Sequence, residues 1–375
     1  MNVTRGLAWS LVMTLTFAAV GCVRTRSIPR PDTTKLMALV RGYNQSPQPI
    51  ETAAVQNANE LPLAPSDAEE QEAEYKGRIA AALVERNYDV LEQSANDARL
   101  RKTRFTGGVW KLYSFYEAVS YPITEEHSSD SDWTLHISTL KAWAAARPES
   151  ATARIALAET YINYGDRARG TGYANTVSEE GWRLDAERTA LAASSLAEAA
   201  RLKQKCPYWY EVMQHVALAQ GWDKSQEKEL FEQAIAFEPG FYHFYREHAN
   251  YLLPKWYGEV GEAGTFADQI SNRIGGDEGK FIYFEIASLV RCQCEEDDPN
   301  SDNLSWPRIK EGYAALGRLY GYSNLKNNRF AHMAVGADDR NAAQQAFGKI
   351  GDDWDHTVWG SSQSFQRAKN WAGGA

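Results

Sequence analysis

Apolar positions in this chain recur mainly at helical spacing. Ser66 with Glu69 three residues later makes a capping box, and alanine-rich sequence of helical period runs from there to about Arg86. The same period predicts helices over residues 89–102, 109–120, 131–146 and 150–167, then 178–203, 207–220, 223–237 and 241–253. Residues 265–274, 280–291, 307–320, 323–335, 338–347 and 361–371 complete the series. Gly, Pro, Asn or Asp punctuates the short segments between them, as helix–helix turns do. No stretch alternates with period two, so the expected class is all-α.

The amino terminus follows a different pattern. Arg5 precedes an apolar segment, residues 7–20, of 14 residues, which is shorter than the roughly 20 that span a bilayer and suits a cleaved signal sequence. Val20 and Gly21 then lead into Cys22. This resembles the lipobox of bacterial lipoproteins, with Ala19 where that motif usually carries leucine. The resemblance implies acylation of Cys22, removal of residues 1–21 and, with Val23 next, residence at the outer membrane facing the periplasm. Residues 22–65 read as a Pro-rich disordered tether, holding six of the thirteen prolines, and residues 66–375 as the helical body. One short apolar patch in the tether, "KLMALV" at residues 35–40, is expected either to dock or to remain a transient helical turn.

Several predicted helices end alike. Phe231, Ala234 and Pro239 stand at offsets of three and five; Ala199, Leu202 and Pro207 repeat them, as do Leu140, Trp143 and Pro148. The spacing resembles the second helix of a tetratricopeptide repeat, in which two apolar residues pack on the partner helix before proline stops it. "FAHMAVGADDRNAAQQAFGKIG", residues 330–351, resembles a further repeat. What the resemblance implies is a tetratricopeptide-like α-solenoid of antiparallel helix pairs. Pro207 and Pro239 lie about one repeat apart, whereas the longer interval from Pro148 to Pro207 implies an insertion, expected at residues 164–182. "GGVWKLYSFYEAV", "RPESATARIALAETYINYGDRARGTG", "LLPKWYGE" and "GDDWDHTVWG" also resemble a bacterial helical family grouped only as a domain of unknown function. That resemblance implies a fold and an exported location, and no activity.

Composition narrows the partners. The net charge of −9, or −10 once Arg5 is removed, argues against nucleic acid, which needs a basic surface. Cys206, Cys292 and Cys294, the cysteines after Cys22, make no disulfide framework. Candidate partner-binding residues are Tyr245, Lys255, Trp256 and Tyr257 around the turn "PKWYGE", and Arg167 and Arg169 at a helix end. Exposed aromatics dominate recognition sites and stack on sugars; cations at a helix end also offset the macrodipole. "RLRKTR", residues 99–104, reads as a solvated helix end. His243, Glu247 and His248 lack the spacing of zinc peptidases, Cys292 and Cys294 point apart on a helix, and Glu285 needs a partner if buried. The expectation is a scaffold without metal, cofactor or catalytic residues. It binds an envelope protein or peptide in a helical-repeat groove, with a glycan-binding lipoprotein and a hydrolase as alternatives.

Overall fold

The computed structural model describes residues 33–43, 65–123, 128–170, 172, 174–293 and 302–373. Among them all regular structure is helical, in seventeen helices, beside one isolated bridge between Arg104 and Trp110. The expected all-α class holds. The helices are α1 (Thr34–Tyr43), α2 (Pro65–Val84), α3 (Tyr88–Arg101), α4 (Lys111–Ser120), α5 (Asp130–Ala146) and α6 (Ala151–Arg169). Next come α7 (Glu179–Ala200), α8 (Tyr208–Gln220), α9 (Lys224–Phe237), α10 (His243–Tyr251), α11 (Glu262–Ile274) and α12 (Gly276–Gln293). The last are α13 (Trp306–Tyr320), α14 (Asn324–Gly336), α15 (Arg340–Ile350), α16 (His356–Trp359) and α17 (Ser362–Gly373).

Local chemistry sets the boundaries. Ser129 with Asp132, and Asp223 with Gln226, form reciprocal capping boxes at the starts of α5 and α9. Ser150 and Ser178 cap α6 and α7. Gly221 ends α8 in the left-handed region, with φ 66°. Glu69 accepts a hydrogen bond from the backbone N–H of Leu325 at 2.6 Å; the side chain of Ser66, with which it is expected to form a box, lies outside the described residues.

Even-numbered helices build an inner layer. Helix α2 packs on α4, α4 on α6, α6 on α8, α8 on α10, α10 on α12 and α12 on α14; α14 then meets α2, so the circuit closes. Helices α3, α5, α7, α9, α11, α13 and α15 pack outside it, each against an inner neighbour, and α17 packs on α15 and α16. Closure is made by the Glu69–Leu325 bond and by Gly107 N, which donates to Tyr320 O at 3.1 Å. The inner helices run in one direction. Their starts gather around Trp110, Phe241, Tyr242 and Phe281, whose rings pack edge to face. Their ends gather too, with Tyr257 just past α10 donating to Leu218 O near the end of α8. The ends of the array therefore meet, which an open stack would not require.

Two expectations change at this level. No long inserted loop lies between α6 and α7. Residues 164–169 are helical in α6 and 179–182 in α7, so the added length went into helices of 19 and 22 residues, against 13 and 14 for α8 and α9. A longer pair buries more alanine-lined contact than a solvated loop would. The stretch expected to be a disordered tether contains α1, which docks outside the ring against α7 and α9. Met37, Val40 and Tyr43 are buried there, and Arg41 pairs with Glu229. Amphipathic spacing alone makes "KLMALV" a helix only when such a surface receives it. Cys22, Cys294 and the rest of the tether's first segment lie outside the described residues.

Candidate functional site in the helical ring

Each inner helix turns a polar stripe toward its inner neighbours. Lys76 of α2 pairs with Glu117 of α4 at 2.7 Å, and Ser114 Oγ donates to Glu72 at 2.8 Å. His215 of α8 lies 3.3 Å from Glu159 of α6 through Nδ1 and 3.5 Å from Glu247 of α10 through Nε2. Arg246 of α10 and Lys326 of α14 both reach Glu285 of α12, at 3.0 and 2.6 Å. Tyr113 of α4 crosses the ring and stacks on His243 of α10, with centroids 3.7 Å apart. Helical spacing of four residues generates these stripes, because i and i+4 share a face.

The two halves of this interior differ in balance. Glu285 is fully buried; burial alone would raise its carboxyl, but Lys326 and Arg246 hold it below the usual range. On the opposite side three carboxylates, Glu159, Glu211 and Glu247, meet one imidazole. Burial, followed by the charge of Glu247, pushes Glu211 well above the ordinary carboxyl range. Burial would also raise Glu247, but the hydrogen bond and charge of His215 hold it down. His215 is lifted well above its usual value, because Glu159 and Glu247 outweigh burial. Glu211 Oε2 is buried without a hydrogen-bond partner.

Asp166, one turn before the end of α6, is exposed, yet protein crowds it on one side. That crowding, with Asp185 adding repulsion, pushes its carboxyl up to about 6. Asp166→Asn is therefore expected to stabilise the fold at neutral pH. The folded carboxyl keeps its proton up to about 6 while the unfolded one ionises near 3.8, so wild-type stability falls as pH rises through that interval. Urea midpoints should show the variant ahead at pH 7 and equal to wild type at pH 3.5; equal midpoints at both would remove the effect.

The residues proposed from sequence separate. Arg169 and Trp256 come together: the Arg169 guanidinium lies 5.0 Å from the Trp256 ring and 5.2 Å from that of Trp182. Arg167 turns the other way and pairs with Asp130 at 2.8 Å. Tyr245 is core, only 2% exposed, and donates to Pro239 O at 2.8 Å, so it is no partner-binding residue; the α10 face that carries it packs on Phe231. Tyr257 is half-buried and stacks on Tyr251, while Lys255 is exposed. The turn holding them is tight: a Cβ on Gly258 would come within 1.8 Å of Leu252 O, so only glycine fits. "RLRKTR" is less solvated than expected, since Lys102 pairs with Glu238 and Arg104 donates to Gly240 O while covering Trp110 and Tyr320.

Sequence reading does not single out Glu159, Asp166, Glu211 or His215. The available signal is the four-residue spacing of Glu211 and His215 in an otherwise apolar helix; their meeting with α6 and α10 is tertiary. Elsewhere, a water-sized cavity of about 10 Å³ lies beside Leu253 and Val290. A shallow hollow of about 310 Å³ opens between Glu92, Arg147 and Gln204, where the polar groups already have partners. Neither gathers titratable groups as the ring interior does. Comparison with family models, with curated proteins and with solved structures gives no match to this chain.

Proposed function

We propose that this chain is a lipid-anchored, non-catalytic scaffold of the cell envelope. In this reading its helices are a degenerate tetratricopeptide-like array of antiparallel pairs whose ends have met, moored through Cys22 to the outer membrane and facing the periplasm. Closure turns the expected groove inward, so the partner-binding surface moves to the mouth where Arg169, Trp182 and Trp256 lie. One observation carries this. A guanidinium sits between two indoles, and beside them Arg169 Nε and Trp256 Nε1 are donors without a protein acceptor. A buried donor left unpaired costs about 1–3 kcal/mol, which a carboxylate or carbonyl from a peptide partner would relieve.

Docking of α1 sharpens the anchoring. Cys22 and Thr33 are about 11 residues apart, and such a segment spans at most roughly 40 Å, so an acylated Cys22 would hold the α7–α9 side of the ring near the bilayer. The test is purification from detergent-solubilised native envelopes, in wild type, Cys22→Ser and Trp256→Ala. Wild type should enter the membrane fraction and bring a stoichiometric protein partner. Cys22→Ser should leave the membrane, and Trp256→Ala should lose the partner at least about tenfold, the scale of one interface hot spot. Recovery of polysaccharide alone would favour the glycan-binding alternative and overturn the scaffold reading. The hydrolase alternative is favoured by one feature, the carboxylates and histidine gathered inside the ring.

A further inference from the structure

The ring interior holds more than a structural ion-pair circuit. We infer that Glu211, His215 and Glu247 form a binding site for a divalent transition-metal cation of the class that accepts mixed imidazole and carboxylate ligands, such as Zn²⁺ or Mn²⁺. This inference is independent of the partner surface at Trp256.

Three features of the geometry converge. First, one ligand atom from each of the three residues lies within 4.8 Å of the others, and His215 Nε2 is already 3.5 Å from Glu247 Oε2. Metal–ligand distances of about 2.0–2.2 Å place neighbouring ligand atoms roughly 3–3.5 Å apart, so small side-chain rotations complete the set. Second, the imidazole is oriented from behind. His215 Nδ1 faces Glu159 Oε2 at 3.3 Å, which holds a proton on Nδ1; a cation entering between Glu211 and Glu247 displaces the proton that Nε2 shares with Glu247 and takes its lone pair. A carboxylate behind a ligating histidine is the recurrent arrangement of protein metal sites, because it sets the tautomer and raises ligand basicity. Third, Glu211 is 1% exposed, and its Oε2 has no hydrogen-bond partner. A buried carboxyl oxygen left open is costly, and a cation at this point satisfies it as the carboxyl gives up its proton.

The surroundings suit a positive charge. Glu159 and Asp166 add acidic groups beside the three ligands. The neighbouring cation Arg246 is drawn toward Glu285 at 3.0 Å, and His243 is stacked on Tyr113. Water reaches the cluster, since the side chains of His215 and Glu247 keep 22% and 20% exposure inside a closed circuit of helices. Three protein ligands leave coordination positions for that water. All three ligands come from α8 and α10, which pack directly on each other, so the site is rigid.

The experiment uses full-length, tag-free protein stripped of metal and titrated calorimetrically with ZnCl₂ and with MnCl₂. The expected result is one equivalent of at least one cation. Glu211→Gln and His215→Gln should each weaken binding by at least about a hundredfold. Glu159→Gln, a positioning change, should weaken it by about 10–100-fold without lowering the stoichiometry. Absence of stoichiometric binding, or binding unchanged by Glu211→Gln, overturns the site. Should a variant fail to fold, the wild-type protein decides alone. One equivalent of Co²⁺ should give visible bands of an imidazole–carboxylate complex, and the spectrum of aqueous Co²⁺ would overturn the inference equally.

Discussion

Replacing Lys326 with methionine is expected to lower the unfolding free energy by about 3–5 kcal/mol, the loss that follows when one partner of a buried ion pair is removed. Lys326 Nζ stands 2.6 Å from both oxygens of Glu285, and neither side chain is more than 3% exposed. Methionine fills the volume but leaves the carboxylate with Arg246 alone, at 3.0 Å. Because that second cation remains, the effect belongs at the lower end of the range. Adding Glu285→Gln should return part of the loss, since the orphaned charge is then gone, and the double variant should differ from the sum by about 1–3 kcal/mol. Acid has a defined sign. Glu285 is held below its ordinary carboxyl value, so the pair stabilises above pH 4.5 and fades as pH falls through the folded value. Urea denaturation at pH 7 and at pH 3 reads both effects. A loss below about 1 kcal/mol at pH 7 would mean that water screens the pair and the interior is far wetter than its burial indicates.

Tyr43→Ala should free α1 from the ring. The Tyr43 ring lies flat on Trp209, with centroids 4.0 Å apart and planes 9° apart, and its hydroxyl accepts from Cys206 N at 2.9 Å. Truncating a buried aromatic costs about 3–5 kcal/mol. A ten-residue helix has little stability of its own, so the loss appears as local undocking rather than global unfolding. Trypsin cutting after Lys35 and Arg41 should accelerate by at least about a hundredfold, while the melting of the ring shifts far less. Unchanged cleavage would show that α1 is not held by this contact. It would also restore the full tether between Cys22 and the body.

Much of the local structure was legible. Ser150, Ser178 and Asp223, where helices were expected to begin, cap α6, α7 and α9, and Pro148 and Pro239 stand two residues past the ends of α5 and α9; Leu202 instead lies beyond the end of α7, and Pro207 stands at the start of α8. The need of Glu285 for a partner was also legible, because a carboxylate within an apolar run has no other way to be buried. The identity of that partner was not. Lys326 is 41 residues away and sits in a stretch with no unusual pattern. Tyr245 shows the converse error: aromatic residues near a turn look alike in sequence whether they face solvent or the core. Its place was decided by Phe231 and by the carbonyl of Pro239.

By itself, then, the chain's periodicity determined an all-helical body and the approximate extent of most of its helices. Those are short-range matters, governed by spacings of three and four residues and by capping groups within one turn. Only the tertiary structure decided that α14 returns to α2. It also decided that Glu159, Glu211, His215 and Glu247 meet inside the ring, and that Arg169 reaches Trp256. The closing bond joins residues 256 positions apart, and the direction of each inner face depends on small angles accumulated over every preceding helix pair. No local pattern encodes that sum.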